Sequence, residues 1–151
     1  MYKITKNNKP LDPKLYTIDK VNQTFASEEN GLVIDFTGEG GWIFRIKYGC
    51  TITAGHSCII TAGNGCNITT GNNAVIRANW NSGITGGENC AVIRRDNNEV
   101  IMLVARQTIK LNDHMIEGYE VIKPIETIEI GGLKFNKEEV EDFLKNLKPI
   151  N

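Results

Sequence analysis

From Gly49 to Asp96 the chain repeats itself every eight residues without insertion or deletion, and this constrains the fold more than any other feature. The six octads read GCTITAGH, SCIITAGN, GCNITTGN, NAVIRANW, NSGITGGE and NCAVIRRD. Self-similarity at a fixed period is the signature of a solenoid, whose repeats bury their apolar side against their neighbours. Position two holds Cys50, Cys58, Cys66, Ala74, Ser82 and Cys90. Position four holds Ile52, Ile60, Ile68, Ile76, Ile84 and Val92, and position six Ala54, Ala62, Thr70, Ala78, Gly86 and Arg94. Period-two alternation makes these three positions the inward row of a short strand, small, large and small, around a thin core. Position seven, with Gly55, Gly63, Gly71, Asn79 and Gly87, is expected to turn each corner through positive φ.

Two octads per coil would give a flattened tube of stacked rungs about 4.8 Å apart. Three octads per triangular coil, or a strand-exchanged trimer, are the alternatives, and the hand of the coil is open. In the two-octad arrangement the outward residues sort onto two faces. One carries Thr51, Thr53, Asn67, Thr69 and Thr85; the other carries Ile59, Thr61, Val75, Arg77, Ala91 and Ile93. Ile59, Val75 and Ala91 stacked in register would form an apolar strip that calls for cover.

The fold class expected is therefore mainly β: a short solenoid over 49–96 between β caps at 1–48 and 97–123, with a hairpin-helix appendage over 124–151. In the N-terminal cap, Thr17 is placed to start a short helix with Ile18, Val21 and Phe25 on one face. LVIDF after Gly31 and WIFRIKYG after Gly40-Gly41 read as strands, with Trp42 and Phe44 in the cap core. EVIMLVA, QTIKLN and YEVI close the far end. TIEIGGLKF reads as a hairpin about Gly131-Gly132, and Asn136 caps a helix with Val140, Phe143, Leu144 and Leu147 on one face, stopping before Pro149.

The stretch TAGHSCIITAGNGCNITTG matches the register A-G-x-x-[CS]-x-x-T of bacterial ice-nucleation octapeptides. It resembles more closely phage and prophage proteins of unknown function with tandem Cys-x-Ile-Thr-x-Gly octads. Those are similar also in the exit, here CAVIRRDNNEVIML followed by TIKLNDHMIEGYEVI, so the resemblance runs from Ile18 to Ile122. It implies a phage setting and supplies no activity. Ice binding, a minor alternative, needs a flat, regular threonine array, and here the Thr-x-Thr of the first octad decays to Asn67 with Thr69 and Gly83 with Thr85.

No cofactor, metal or catalytic residue is assigned. The cysteines follow the repeat rather than a zinc spacing, and they read as reduced core residues. His56 and His114 lack the Asp or Ser companions of a catalytic group. Charges nearly cancel, 17 basic against 18 acidic, which argues against nucleic acid as partner. No segment has the roughly 20 apolar residues of a membrane span, so a cytoplasmic location, in the host cell if phage-encoded, is expected. Trp80 at an outward corner, with Arg77 and Arg95, is the candidate binding site, since exposed Trp and Arg are common anchors of interfaces. Ile59, Val75, Ala91, Ile93, Phe143 and Leu147 are the candidate interface of a homo-oligomer. The function expected is binding of a host protein or small ligand inside the host, as a defence antagonist, with a virion or tail accessory role as the alternative.

Overall fold

The computed structural model describes residues 2–148 and residue 150. Its strands in chain order are β1 (Lys3–Lys6), β2 (Lys9–Pro10), β3 (Tyr16–Asp19), β4 (Thr24–Ser27), β5 (Val33–Phe36), β6 (Ile43–Arg45), β7 (Thr51–Ala54), β8 (Ile59–Thr61) and β9 (Asn67–Thr69). There follow β10 (Val75–Ala78), β11 (Gly83–Thr85), β12 (Ala91–Arg94), β13 (Val100–Met102), β14 (Thr108–Leu111), β15 (Tyr119–Ile122), β16 (Thr127–Ile130) and β17 (Leu133–Asn136), then the helix α1 (Lys137–Lys145). Successive octads alternate between two sheets. The first runs β15-β14-β11-β9-β7-β5-β1-β2 and the second β13-β12-β10-β8-β6-β4-β3. Ile52 pairs in parallel with Ile68, and Ile68 with Ile84, so one coil takes two octads. The triangular coil is thereby excluded.

The core is the seam between the sheets. Ile34, Ile52, Ile68, Ile84 and Ile109 stack on one side, facing Phe25, Phe44, Ile60, Ile76, Val92 and Ile101, and all are buried. Each such side chain contributes about 1.5–3 kcal/mol through burial. The four cysteines are free and buried. Their placement at position two has a reason beyond size, because each thiol reaches a carbonyl of the preceding corner. Cys66 Sγ donates to Lys47 O at 3.1 Å and Cys90 Sγ to Gly71 O at 3.1 Å. Ser82 does the same with its hydroxyl, to Gly63 O at 3.3 Å. Burial pushes the Cys50, Cys58 and Cys66 thiols above their ordinary value, which keeps them neutral donors.

The corners overturn the expectation for position seven. Positive φ falls instead on position one of every octad: Gly49, Ser57, Gly65, Asn73, Asn81 and Asn89. These are Gly, Asn and Ser, the residues that reach the left-handed region most readily or bond their own backbone there. Position seven is small for a different reason. A Cβ on Gly55 would lie 2.7 Å from Glu39 O, on Gly63 2.8 Å from Tyr48 N, and on Gly71 2.9 Å from His56 N, all backbone atoms of the coil beneath. Asn79 is the exception, and its corner is looser: its N–H reaches Gly63 O at 3.4 Å, against 3.0, 3.1 and 3.2 Å at Gly55, Gly71 and Gly87. Gly71→Ala is therefore expected to destabilise the fold by about 1–3 kcal/mol in urea unfolding, the usual cost of overpacking a site that cannot give.

The stack begins before the repeat does. β4 pairs in parallel with β6, and β5 with β7, so a coil of longer, irregular corners precedes the first octad. Phe25, Phe36, Trp42 and Phe44 fill it, with Phe36 centred 4.8 Å from Trp42 and 4.9 Å from Phe44. The helix expected from Thr17 does not form. β3 and β4 make an antiparallel hairpin in which Ile18 opposes Phe25. The Asp19 carboxylate takes the N–H groups of Val21 and Asn22, an aspartate turn that defeats the helix, and Val21 is exposed.

Both ends reverse direction. β1 on β5 and β3 on β4 are antiparallel, as are β13 on β12 and β14 on β11. The far end is closed by the loop from Asn112 to Gly118, tied down by Arg94. That guanidinium, fully buried, forms a forked pair with Asp96 (Nε to Oδ1 3.1 Å, Nη2 to Oδ2 2.7 Å) and donates to the carbonyls of Asn112, Asp113, Ile116 and Gly118. β16, β17 and α1 form the hairpin and helix expected from the sequence, with Asn136 as N-cap. Pro149 lies outside the described residues. No helix among the described residues is long and apolar enough to cross a membrane.

Candidate functional site

Outward residues on parallel strands in register form rows up the tube, so each face is written by two rows. On the first sheet one row is Asp35, Thr53, Thr69, Thr85 and Thr108, the last two joined through their hydroxyls at 2.6 Å. The neighbouring row is Val33, Thr51, Asn67, Gly83 and Lys110, so threonine is regular in a single row.

On the second sheet the first row is Ile43, Ile59, Val75, Ala91 and Met102, in register throughout. Among the described residues nothing covers Ile43, Ile59 and Met102, which are exposed. The second row is Arg45, Thr61, Arg77, Ile93 and Val100. Beside it, where the chain turns through Ile46–Tyr48 and Gly63–Asn64, lies an open groove of about 840 Å³. Arg45, Lys47, Arg77, Arg94 and Arg95 line it, with Glu28 as the one carboxylate.

The charge in this groove is largely unspent. Glu28 is taken by Lys47 at 2.9 Å, and Arg94 is committed to Asp96. Arg95 donates Nη1 to Ala62 O at 2.8 Å, which holds its side chain along the corner and leaves its other N–H groups to solvent. Among the described residues Arg45, Arg77 and Arg95 form no ion pair. Guanidinium groups fixed on a strand face are suited to planar, bidentate recognition of carboxylate or phosphate.

The structure brings two of the sequence candidates, Arg77 and Arg95, to this groove and separates the third. Trp80 is half-buried, packs edge-on against His114 with ring centres 4.4 Å apart, and is not among the residues that line the groove. Ile59, Val75, Ala91 and Ile93 lie on the second sheet's outer face as the octad register requires, and Phe143 on α1 and Leu147 just past its end are exposed. Arg45 and Lys47 were missed because they precede the repeat. Their signal is the alternation of Trp42, Phe44 and Ile46, all buried, which sends Ile43, Arg45 and Lys47 outward. Among the described residues no group of three or more His, Cys, Asp or Glu could hold a metal ion. Comparison with known proteins finds no matching family model, curated protein or solved structure.

Proposed function

We propose that this chain is a non-catalytic binding protein which holds an anionic group of its partner in the arginine groove of the second sheet. In the phage setting that its octads and exit resemble, it acts in the host cytoplasm as an antagonist of a defence or regulatory protein, or by sequestering a small ligand. The observation that carries this reading is the set of Arg45 and Arg77 on one sheet face and Arg95 at the adjoining corner, all lining one groove and without ion-pair partners among the described residues. A solenoid strand is a stiff support, so the guanidinium groups need little reorganisation on binding.

Titration calorimetry at low ionic strength, with inorganic pyrophosphate in one arm and a glutamate-rich peptide in the other, tests the reading and separates a phosphorylated ligand from an acidic protein surface. Saturable binding is expected in one arm, weakening with salt. Arg95→Glu should lower that affinity at least about tenfold, roughly 1.4 kcal/mol. Heat in neither arm, or binding indifferent to Arg95→Glu, would sink the proposal.

A further inference from the structure

We infer that the C-terminal hairpin and helix dock on the apolar row of a second copy of this chain, each copy giving its tail to the other. The first observation is that the tail buries nothing. No residue of β16, β17 or α1 is buried, and Ile130, Leu133, Phe135, Phe143, Leu144 and Leu147 are all exposed. A four-residue-strand hairpin and a nine-residue helix are too small to hold their structure alone in water. The helix packs on its own hairpin strand, lies beside the linker at Glu126 through Lys137, and caps itself with Asn136, so it is built as a helix while its apolar face stays exposed.

The second observation is the match of that surface to the helix. Val140, Phe143 and Leu144 share one face of the helix, about 6 Å from first to last at 1.5 Å per residue, and Leu147, just past the helix end with its N–H on Leu144 O at 3.2 Å, prolongs that apolar stripe. Ile59, Val75 and Ala91 are three successive rungs, spanning about 9.6 Å. A helix lying across the strands would set its stripe along the row, with Ile43 and Met102 left for the hairpin. Glu139 rims the stripe on one side and makes no ion pair among the described residues, while Arg45 and Arg77 border the row on the sheet. With Glu139 turned toward the arginine row, apolar faces meet and the facing charges are opposite, while Lys137 and Glu141, paired with each other, lie on the far side of the stripe.

Reach selects a second copy over the chain's own row. Thr127 pairs with Asn136, so the hairpin returns the chain to where it started and adds nothing to the span. That leaves Lys123–Glu126, about 14 Å when extended, to carry the helix away from β15. β15 is the end strand of the first sheet, whereas the apolar row is on the outer face of the second. The path crosses a tube about 10 Å thick, rounds its capped end and descends two to three strand spacings of about 4.8 Å. A two-fold pair exchanging tails needs no such detour and buries the contact twice.

Sedimentation velocity of the full-length chain at tens of micromolar, with Phe143→Glu and Val75→Glu variants, tests this. Both side chains point away from the core, and circular dichroism would verify that the solenoid is retained. The wild type should sediment as a dimer and each variant as a monomer, while an equimolar mixture of the two should form a heterodimer through the one intact tail-to-row contact. Hydrogen exchange in α1 should also be fast in Val75→Glu, where the helix itself is unaltered. A monomeric wild type, a dimeric variant, or a mixture that stays monomeric would overturn the inference. Because a docked tail would bring Glu139 beside Arg45 and Arg77, the anion titration is repeated on Phe143→Glu, where no tail covers that row, so either proposal can fail without the other.

Discussion

Asp96→Ala is expected to destabilise the folded chain by about 3–5 kcal/mol, measured as a shift of the urea midpoint at unchanged slope. The reason is what the substitution leaves behind. Arg94 is fully buried and Asp96 is its only carboxylate partner among the described residues, so removing Asp96 strands a positive charge at the end of the core. Asp96 also accepts the N–H of Met115, so the closing loop loses an anchor as well. Arg94→Lys should not preserve the fold's stability, since an ammonium group cannot make the forked pair and bond the carbonyls of Asn112, Asp113 and Ile116 as the guanidinium does.

The same pair gives an acid signature. Burial pushes the Asp96 carboxyl up, but the hydrogen bonds from Arg94 and from Met115 outweigh it, and the group is held below its ordinary value of 3.8. A carboxyl depressed in the folded state adds stability above its unfolded value and loses it as pH falls through the folded one. Its contribution should thus be present at neutral pH and fade below pH 3.8, and in Asp96→Asn that part of the acid dependence should be missing.

Phe36→Ala should cost about 3–5 kcal/mol, the range for emptying a buried aromatic site. Phe36 touches Tyr2, Phe25, Trp42 and Phe44, with centroid distances from 4.8 to 5.9 Å, and so joins β5 to both neighbours and to the N-terminal segment. A loss of this size, in one cooperative transition, would mean that the irregular first coil unfolds with the octads. A small loss, or a separate early transition, would mean that it is a detachable cover.

Much of this architecture was legible because octads without insertions state their own register. The inward isoleucines and the two outward faces follow from period two inside period eight, whereas the antiparallel sense of the exit strands is seen only in the structure. The first coil was hidden because its inward residues, Phe25, Ile34 and Phe44, are spaced by corners of unequal length, which erases the period while keeping the pairing. The N-terminal helix was misread because Ile18, Val21 and Phe25 also fit a helical face; the Asp19 turn decided otherwise. Position seven was assigned the wrong duty, since glycine in a sequence signals either positive φ or a close neighbour, and only the neighbouring coil distinguishes them. Arg94 was placed in the inward row, but its partners lie up to 24 residues further on, beyond any local pattern. Of the candidate site, Arg77 and Arg95 were visible inside the octads, whereas Arg45 and Lys47 fell outside the frame that would have aligned them.

The two-octad coil also governs how such a chain can change length over evolutionary time. Losing or duplicating a single octad would keep every side chain's in-or-out sense while moving all downstream strands to the opposite sheet, so arginines would land among threonines and the exit would meet the wrong edge. A change of two octads restores the frame and alters only the height of the tube. Repeat-number drift in a molecule of this kind is therefore quantised in whole coils, and an odd count of octads is a frameshift in space although the reading frame is intact.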